Sequence, residues 1–592
     1  MKRVVLVSLF VAALALPGCG ERNSGKERGA REPNPAFAGA APVEAMRSEG
    51  EIGAYGGTLA LALPQNPKSF NPVLASETST LQVISQVVYK GLVEYDNVEQ
   101  RETPGLAKSW EASADGRVWR FRLRRGVAWS DGAPFTVEDA LFTFEVTFDP
   151  KIAAAGRDLF VHSDGTYPVV EKAGEDEIVF RLKEPNALFL SAVGATLLIP
   201  RHKLEAVYRA GGFNEALLAS SPPEEIVGLG PYRVRSYASD QRIELERNPH
   251  YWKVDGAGRR LPYLDRVIFL IVPDANAATL RFQAGEIDML WELAPETVDL
   301  LRRGEGPGQY KVHDLGASFN TTFLVFNQDT ARYRNAAKLR WFRETRFRQA
   351  ISYAIDRDAI VRTVFLGHAA PLYGFVSPAN KQWHTAGLRQ YPHDPGKARE
   401  LLREIGIEDR DADGKLEDAQ GKAIRFTIHT NANNATRVGI GAQLKEQLGR
   451  LGIDVSFQPL EFNLLIEKLA ATRDFDAIIL GWQAAVPPDP VLSQSGLLPT
   501  GAAYGAFPNQ KAPGTEWEKR LQERLLANAQ TVDPQKRKEA FAEAMRIWSE
   551  HLPEIDLVAG RSFAAAKNRF GNFKPSPLAN YTYWNLDELY IK

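Results

Sequence analysis

Strand-like and helix-like segments alternate between residues 425 and 482, and this pattern restricts the fold more than any other feature of the 592-residue chain. Runs rich in β-branched or aromatic residues predict strands at residues 425–430, 453–457 and 477–480. Helical spacing predicts a helix at residues 462–471 and another, capped by Gly452, through Ile440, Leu444, Leu448 and Leu451. The order strand, helix, strand, helix, strand predicts a parallel sheet with right-handed crossovers.

The end of the last predicted strand marks a candidate binding site. In open α/β sheets, ligands lie beyond the carboxyl ends of the strands. Gly481, Trp482 and Gln483 follow the strand at residues 477–480. The residue pattern alone therefore places a ligand site at these three positions.

The earlier part of the chain has a more β-rich pattern. Turns are indicated at Asp115-Gly116 and Asp131-Gly132, and strands at residues 119–123 and 178–182. A short C-terminal tail follows the α/β region. We therefore predict a mixed α/β fold.

The first 19 residues have the order of an export signal. A charged start precedes an apolar run at residues 4–16, which is too short to span a bilayer, since a span needs about 20 apolar residues. The run ends in a motif that resembles the lipobox of bacterial lipoproteins, Leu16-Pro17-Gly18-Cys19. Cys19 is therefore the predicted lipid anchor, and an ordinary secretory peptide with a chance cysteine is the alternative.

Cys19 is the only cysteine, so no internal disulfide can form and burial must hold the fold together. Residues 20–50 are rich in Gly, Pro, Ala and charged residues, which predicts a flexible tether. These features predict an extracytoplasmic protein that is lipid-anchored in the periplasm or on the outer face of the cytoplasmic membrane.

The charge of the chain argues against nucleic-acid binding. Its formal net charge is −1, whereas a nucleic-acid binder needs a basic face. We interpret the one arginine cluster as a solvated helix face; its members are Arg340, Arg343, Arg346 and Arg348.

Metal-ligand motifs are weak. Asp409, Asp411 and Asp413 have the spacing of a calcium loop, but Gln420 stands where that loop requires a bidentate glutamate. We therefore favour a surface turn. The nine histidines form no zinc or nickel spacing motif, and no metal site or cofactor is predicted.

Motifs in collinear order along nearly the whole mature chain resemble the family 5 extracellular solute-binding proteins. This family contains the oligopeptide-, dipeptide- and nickel-binding components of bacterial ABC importers. The matching segments are residues 70–72, 88–92, 104–110, 121–127, 129–132, 135–140, 228–232, 247–252, 285–288, 326–327, 348–357 and 451–453.

The resemblance implies an α/β, two-lobed periplasmic-binding-protein-like fold of type II, cluster C, which closes around its ligand about a hinge. Residues 51–318 would form lobe I, with an extra subdomain at residues 76–223. Residues 319–555 would form lobe II, and residues 556–592 would return to lobe I.

The resemblance also implies ligand contacts on both sides of the hinge. They are Ser76, Glu77, Thr321, Phe323, Asn463, Trp482, Gln483 and Asp489. In these roles Trp482 stacks on the ligand, Gln483 hydrogen-bonds it and Asp489 accepts from a cation or hydroxyl. The alternatives are a core aromatic for Trp482 and a turn before Pro490 for Asp489. We predict that Trp482→Ala weakens ligand affinity and leaves the melting temperature of the apo protein nearly unchanged, whereas a large loss of apo stability would mark Trp482 as a core residue.

One position departs from the pattern of the peptide-binding members. They have an aspartate three residues after this tryptophan, which pairs with the amino terminus of the peptide, and this chain has Ala485. A buried unpaired ammonium is costly. Either Asp489 or Glu77 replaces the missing carboxylate, or the ligand has no free amine there.

The implied function is capture of a solute, oligopeptide or peptide-like, by a monomer that delivers it to the transmembrane subunits of an ABC permease. A membrane-tethered ligand sensor would share the fold and the pocket. A secreted hydrolase is the third class. The sequence has no Gly-x-Ser-x-Gly elbow, P-loop or catalytic cysteine, so we expect no enzyme.

Overall fold

The structure is a computed structural model that describes residues 40–578 and 583–592. The predicted signal peptide, its anchor Cys19 and the tether up to residue 39 lie outside the described residues. In the described part of the chain, no helix is both long enough and apolar enough to cross a membrane.

The strands, in chain order, are β1 Met46–Arg47, β2 Thr58–Leu63, β3 Val93–Asp96, β4 Arg101–Pro104, β5 Ala107–Ala112, β6 Val118–Leu123, β7 Val169–Lys172, β8 Glu177–Arg181, β9 Tyr232–Ala238, β10 Arg242–Arg247, β11 Lys253–Val254, β12 Arg266–Ile271, β13 Met289–Trp291, β14 Tyr310–Ala317, β15 Thr321–Phe326, β16 Ala369–Pro371, β17 Arg425–Asn431, β18 Asp454–Leu460, β19 Ala477–Trp482, β20 Ile555–Lys567, β21 Phe570–Gly571 and β22 Tyr590–Ile591. The α-helices are α1 Thr78–Ile84, α2 Val137–Phe148, α3 Phe189–Ala195, α4 Arg201–Arg209, α5 Ala275–Ala284, α6 Pro295–Arg302, α7 Ala336–Arg343, α8 Thr345–Ala354, α9 Arg357–Thr363, α10 Pro395–Glu404, α11 Ala435–Leu451, α12 Phe462–Ile466, α13 Gln494–Leu497, α14 Glu516–Gln530 and α15 Pro534–His551.

The parallel sheet predicted for residues 425–482 is confirmed. Strand β17 pairs in parallel with β18 on one side and with β19 on the other. Helix α11 ends at Gly452, whose φ of 102° is accessible to glycine without strain. The predicted helix at residues 462–471 is α12 followed by a π-helix over Glu467–Thr472.

Strand β20 joins two parts of one large mixed sheet. The strand order in this sheet is β18-β17-β19-β15-β20-β13-β2-β12-β10-β9, and β14 and β16 also pair with β20. The first residues of β20 pair with β15, which is antiparallel to both β20 and β19. Its last residues pair with β13 and β14. One continuous strand therefore runs from one part of the molecule into the other.

Buried apolar side chains divide the molecule into two lobes. Three core clusters are built from residues 59–312 and 563–589, which we call lobe I. Two further clusters are built from residues 323–558, which we call lobe II. Each lobe has its own core, and the chain passes between the lobes after β14 and again along β20.

A four-stranded antiparallel sheet, in the order β5-β6-β8-β7, forms a separate layer of lobe I. The strands predicted at residues 119–123 and 178–182 are β6 and β8, which are neighbours in this sheet. Their inward side chains, which include Phe121 and Phe180, pack edge to face in the core.

The interpretation of the arginine cluster as a solvated face is wrong for Arg348. Arg340, Arg343 and Arg346 are exposed, but Arg348 is 0% exposed. Its guanidinium donates to the carbonyls of Phe342, His551 and Leu552. Arg348 therefore ties α8 to the end of α15, an interaction across more than 200 residues that local sequence does not signal.

Candidate functional site

A cleft of about 650 Å³ lies between the lobes, where the chain crosses from one to the other. Lobe I contributes Trp291, Glu292 and the tail residues Ser576 to Leu578. Lobe II contributes the start of β15, the end of β19 and the first turn of α11. The volume is in the range of sites that enclose small-molecule ligands.

Three of the predicted contacts line this cleft: Thr321, Trp482 and Gln483. The structure therefore brings the end of β19 to the cleft, as the sheet pattern predicts. Gln483 is exposed there. Thr321 is 4% exposed, and its hydroxyl has no hydrogen-bond partner among the described residues. Because an unsatisfied buried hydroxyl is costly, Thr321 is suited to hydrogen-bond a bound ligand.

Trp482 is held by aromatic neighbours as well as lining the cleft. Its ring stacks on Phe323 at 5.6 Å between centroids, and it lies at the same distance from Phe375. Its indole N–H donates to Glu554 Oε2 at 3.0 Å. Gly496 lies so close that an added Cβ would be 2.3 Å from the indole ring. Trp482 is therefore both a packed side chain and part of the cleft wall.

The other predicted contacts do not line the cleft. Phe323 is 2% exposed and lies behind Trp482. Asn463 is exposed on α12, next to Phe462, which does line the cleft. Ser76 is exposed before α1, and the adjacent Glu77 carboxylate accepts from Thr80 Oγ1 at 2.5 Å.

Asp489 is already paired with a cation of lobe II. Its two carboxylate oxygens accept from Arg537 Nη2 at 2.8 and 2.9 Å, and Oδ1 also accepts from the backbone N–H of Val491. Asp489 and Ala485 line a smaller pocket of about 40 Å³ that shares Trp482 with the main cleft. The carboxylate of Asp489 is therefore neutralised within the protein.

Two charged groups that sequence analysis missed line the main cleft: Arg437 and Glu292. Arg437 lies in the first turn of α11, where its Nη1 donates to Asn431 Oδ1 at 3.0 Å. Burial lowers the pKa of the Arg437 guanidinium. Glu292 directly follows β13 and is accessible to solvent, yet the surrounding cleft atoms remove enough water to raise the pKa of its carboxyl. A helix N-terminus after a strand end was a usable signal for Arg437, whereas nothing in the sequence marks Glu292.

The other ionisable groups of the cleft wall are paired. His368 Nε2 is 3.1 Å from Asp299 Oδ1, and the Arg561 guanidinium binds both oxygens of Asp314. The first contact joins lobe II to lobe I. A second contact between the lobes involves Gln100, whose amide donates to the Ala379 carbonyl and whose Oε1 accepts from the Lys381 N–H. The lobes therefore touch each other at these two places in addition to the strands that connect them.

Two fully buried carboxyl groups lie where β20 begins. Glu554 accepts from Trp482, and Asp556 accepts from the indole N–H of Trp548. One oxygen of each has no hydrogen-bond partner among the described residues. Burial raises the pKa of Glu554 well above its ordinary value and that of Asp556 to about 7.

These raised pKa values predict a stability that depends on pH. In the unfolded chain Asp556 ionises near 3.8, whereas in the folded protein it keeps its proton up to about pH 7. The contribution of Asp556 to the free energy of unfolding is therefore fully present below pH 3.8, where both states are protonated. It is lost as the pH rises to about 7, because the unfolded chain ionises first. We expect Asp556→Asn to reduce this loss by up to about 1.4 kcal/mol per pH unit.

Denaturant unfolding of both proteins between pH 4 and pH 8 measures the difference. Glu175→Gln, at an exposed carboxylate, serves as the control and should leave the pH dependence nearly as in the parent. An Asp556→Asn profile that is parallel to the parent profile would show that Asp556 ionises normally in the fold.

The aspartate cluster of the calcium-like segment is a surface feature. Asp409, Asp411 and Asp413 are exposed, and each brings one carboxylate oxygen within 4.8 Å of the others. Asp409 accepts from the N–H of Gly414, and Asp413 accepts from the N–H of Lys415. These bonds lie in a surface bend, and the preference for a turn over a calcium site stays a prediction.

A cleft between two lobes that are joined by connecting strands is the architecture of a solute-binding protein. The family model for "Bacterial extracellular solute-binding proteins, family 5 Middle" matches residues 102–544. The chain therefore belongs to family 5 of the bacterial extracellular solute-binding proteins, as its motifs predict. Members of this family are the extracytoplasmic, solute-capturing components of ABC importers.

Known proteins match this chain along most of their length. A probable ABC transporter-binding protein of Deinococcus radiodurans is 29% identical over 526 residues, covering 85% of this chain and 87% of that protein. The substrate-binding protein CtaP of Listeria monocytogenes has a TM-score of 0.73 at 23% identity, covering 91% of this chain and 99% of that chain.

The oligopeptide-binding protein AppA of Bacillus subtilis is 27% identical over 541 residues, covering 89% of this chain and 91% of that protein. Its structure in complex with a nonapeptide has a TM-score of 0.66 at 24% identity, covering 91% of this chain and all of that chain. These likenesses confirm the two-lobed α/β fold and the solute-capturing function.

Proposed function

We propose that the protein captures a peptide or peptide-like solute in the cleft between its lobes and passes it to a membrane permease. The observation that carries this proposal is the cleft of about 650 Å³, which is lined by both lobes at the hinge. AppA, which has the same fold, binds a nonapeptide. A ligand that contacts both lobes stabilises the closed form by the contacts that only this form provides.

We propose Thr321, Trp482 and Gln483 as ligand contacts because they line the cleft at the start of β15 and the end of β19. The remaining predicted contacts stay predictions. Asp489 and Glu77 are poor replacements for the carboxylate that is absent at Ala485, because Arg537 neutralises Asp489 and Glu77 lies outside the cleft lining.

The proposed division of the chain is lobe I at residues 51–318, lobe II at residues 319–555 and a return to lobe I at residues 556–592. The passage between β14 and β15 and the change of partners along β20 support these boundaries. We further propose that residues 76–223 form an extra subdomain of lobe I, which contains the four-stranded sheet.

We propose that Cys19 carries a lipid and that residues 20–50 tether the lobes to the membrane, which raises the effective concentration of loaded protein near its permease. Cys19→Ser is expected to move the protein from the membrane fraction to the soluble extracytoplasmic fraction. Retention of this variant on membranes would contradict lipid anchoring.

Native mass spectrometry of protein purified without refolding tests the proposed ligand class. A series of peptide masses retained by the protein is expected. A single sugar or metal-complex mass would contradict peptide capture. Chromatography with light scattering, run on the same sample, is expected to give a monomer.

A sensor lipoprotein would use the same cleft, and a hydrolase would turn its ligand over. We propose transport without enzymatic activity, because the groups that line the cleft are suited to binding. Co-purification with a signalling partner in place of a permease would favour the sensor. Hydrolysis of the retained peptides by the purified protein would favour the enzyme.

A further inference from the structure

The cleft wall has charge that the protein itself leaves unbalanced. Of its ionisable side chains, His368 is paired with Asp299 and Arg561 is paired with Asp314. Arg437 and Glu292 have no ion-pair partner within the described ranges 40–578 and 583–592. Burial is the only cause of the pKa shift of each, so neither neutralises the other.

Arg437 is placed to bind an anionic group. Only one of its five N–H donors has a partner among the described residues, the Asn431 amide oxygen. The guanidinium lies against the end of β19, where a Cβ added to Gly481 would come within 2.7 Å of Nη2. A partly buried guanidinium with free donors matches the geometry of a carboxylate, which it binds with two parallel hydrogen bonds.

Glu292, which lies in the lobe opposite Arg437, is placed to bind a cationic group of the ligand. It follows β13 in lobe I, adopts a left-handed backbone with φ of 54° and accepts no hydrogen bond from the described residues. An ionised carboxylate in a partly desolvated cleft is stabilised by an ammonium group. Lobe I thus offers a negative group and lobe II a positive group to one enclosed space.

We propose that the ligand is a zwitterion with free termini, a short peptide whose carboxylate binds Arg437 and whose ammonium binds Glu292. The buried Thr321 hydroxyl lies in the same lining and supplies a polar partner for the peptide between its ends. In this arrangement Glu292 pairs with the amino terminus of the peptide, in place of the carboxylate that is absent at Ala485. Because each end of the ligand is held by a different lobe, both charges favour the closed form.

This inference rests on the proposed function. Blocking one terminus of the peptide at a time distinguishes a failure of the inference from a failure of the proposed function. The probe is a library of random-sequence tetrapeptides in three forms: with free termini, with an amidated carboxyl terminus and with an acetylated amino terminus. Binding of each form to the full-length protein, and to the Arg437→Gln and Glu292→Gln variants, is measured by native mass spectrometry. Arg561→Gln is the matched control, since Arg561 lines the cleft but is paired with Asp314.

Amidation is expected to weaken binding to the parent about 10- to 100-fold, the size of a charge-assisted hydrogen bond. Arg437→Gln should bind the free and amidated peptides equally, and Glu292→Gln should bind the free and acetylated peptides equally. Arg561→Gln should discriminate as the parent does. If a variant does not fold, the loss on capping in the parent protein still tests whether both free termini of the peptide are bound.

The outcomes distinguish the inference from the function on which it rests. Binding of all three peptide forms with equal affinity would overturn the assignment of Arg437 and Glu292 and leave peptide capture intact. Weaker binding of the amidated peptides, with no weakening for the acetylated peptides, would overturn the role of Glu292. Binding of no peptide form would overturn the proposed function together with the inference.

Discussion

Lys253→Met is expected to destabilise the folded protein by about 3–5 kcal/mol, because it leaves two buried carboxylates without their shared cation. Lys253 Nζ is 2.8 Å from Glu94 Oε2 and 3.3 Å from Asp587 Oδ2, and Lys90 binds the other oxygen of Glu94 at 3.0 Å. Burial alone would lower the pKa of Lys253, but the charges of Asp587 and Glu94 outweigh it and raise that pKa.

This cluster ties the C-terminal tail to lobe I, since Asp587 also accepts from the Tyr251 hydroxyl at 2.8 Å. Denaturant unfolding measures the loss. Lys183→Met is the matched control, because Lys183 and its partner Asp164 are 59% and 49% exposed and such pairs contribute about 0–1 kcal/mol. Equal losses in the two variants would contradict a structural role for the buried cluster.

Trp482→Ala is expected to cost about 3–5 kcal/mol of apo stability and to weaken ligand binding as well. The side chain is stacked on Phe323, touches Phe375 and donates to buried Glu554. Its removal leaves a cavity and an unpartnered carboxyl group. The sequence alone predicts a nearly unchanged apo melting temperature, and we revise that prediction because the side chain is packed and hydrogen-bonded within lobe II.

Trp482→Phe separates the two roles of the side chain. It keeps one aromatic ring in the stack but removes the N–H donor to Glu554 and part of the indole surface, so a smaller stability loss of about 1–3 kcal/mol is expected. Thermal unfolding of the apo proteins and ligand titration of each variant provide the comparison. An apo Trp482→Ala protein as stable as the parent would show that the ring does not belong to the packed core.

The alternating segment at residues 425–482 predicted its part of the fold well because its signals are local. Helical spacing, the glycine after α11 and runs of β-branched residues determine β17, α11, β18 and β19 without information from distant segments. The same reasoning placed Trp482 and Gln483 at the end of β19, and both line the cleft.

Other features depend on contacts between distant segments, which a pattern of neighbouring residues does not contain. Strand β15 lies between β19 and β20, which are separated from it by more than 150 residues. Asp489 pairs with Arg537, 48 residues away, so its role in neutralising that cation could not be foreseen. Glu292 lines the cleft at the end of β13, a strand that pairs with the distant strand β20.

A chemical cross-link between the lobes tests most directly whether the lobes close around the ligand. Asp299 and His368 touch across the lobes, and in the Cys19→Ser chain no other thiol is present, so Asp299→Cys and His368→Cys can be joined by a short bismaleimide. Cross-linking after loading with the free-termini tetrapeptide library is expected to trap the peptides through dialysis, and protein cross-linked while empty is expected to bind none. Free exchange of peptides with the cross-linked protein would contradict capture between closing lobes.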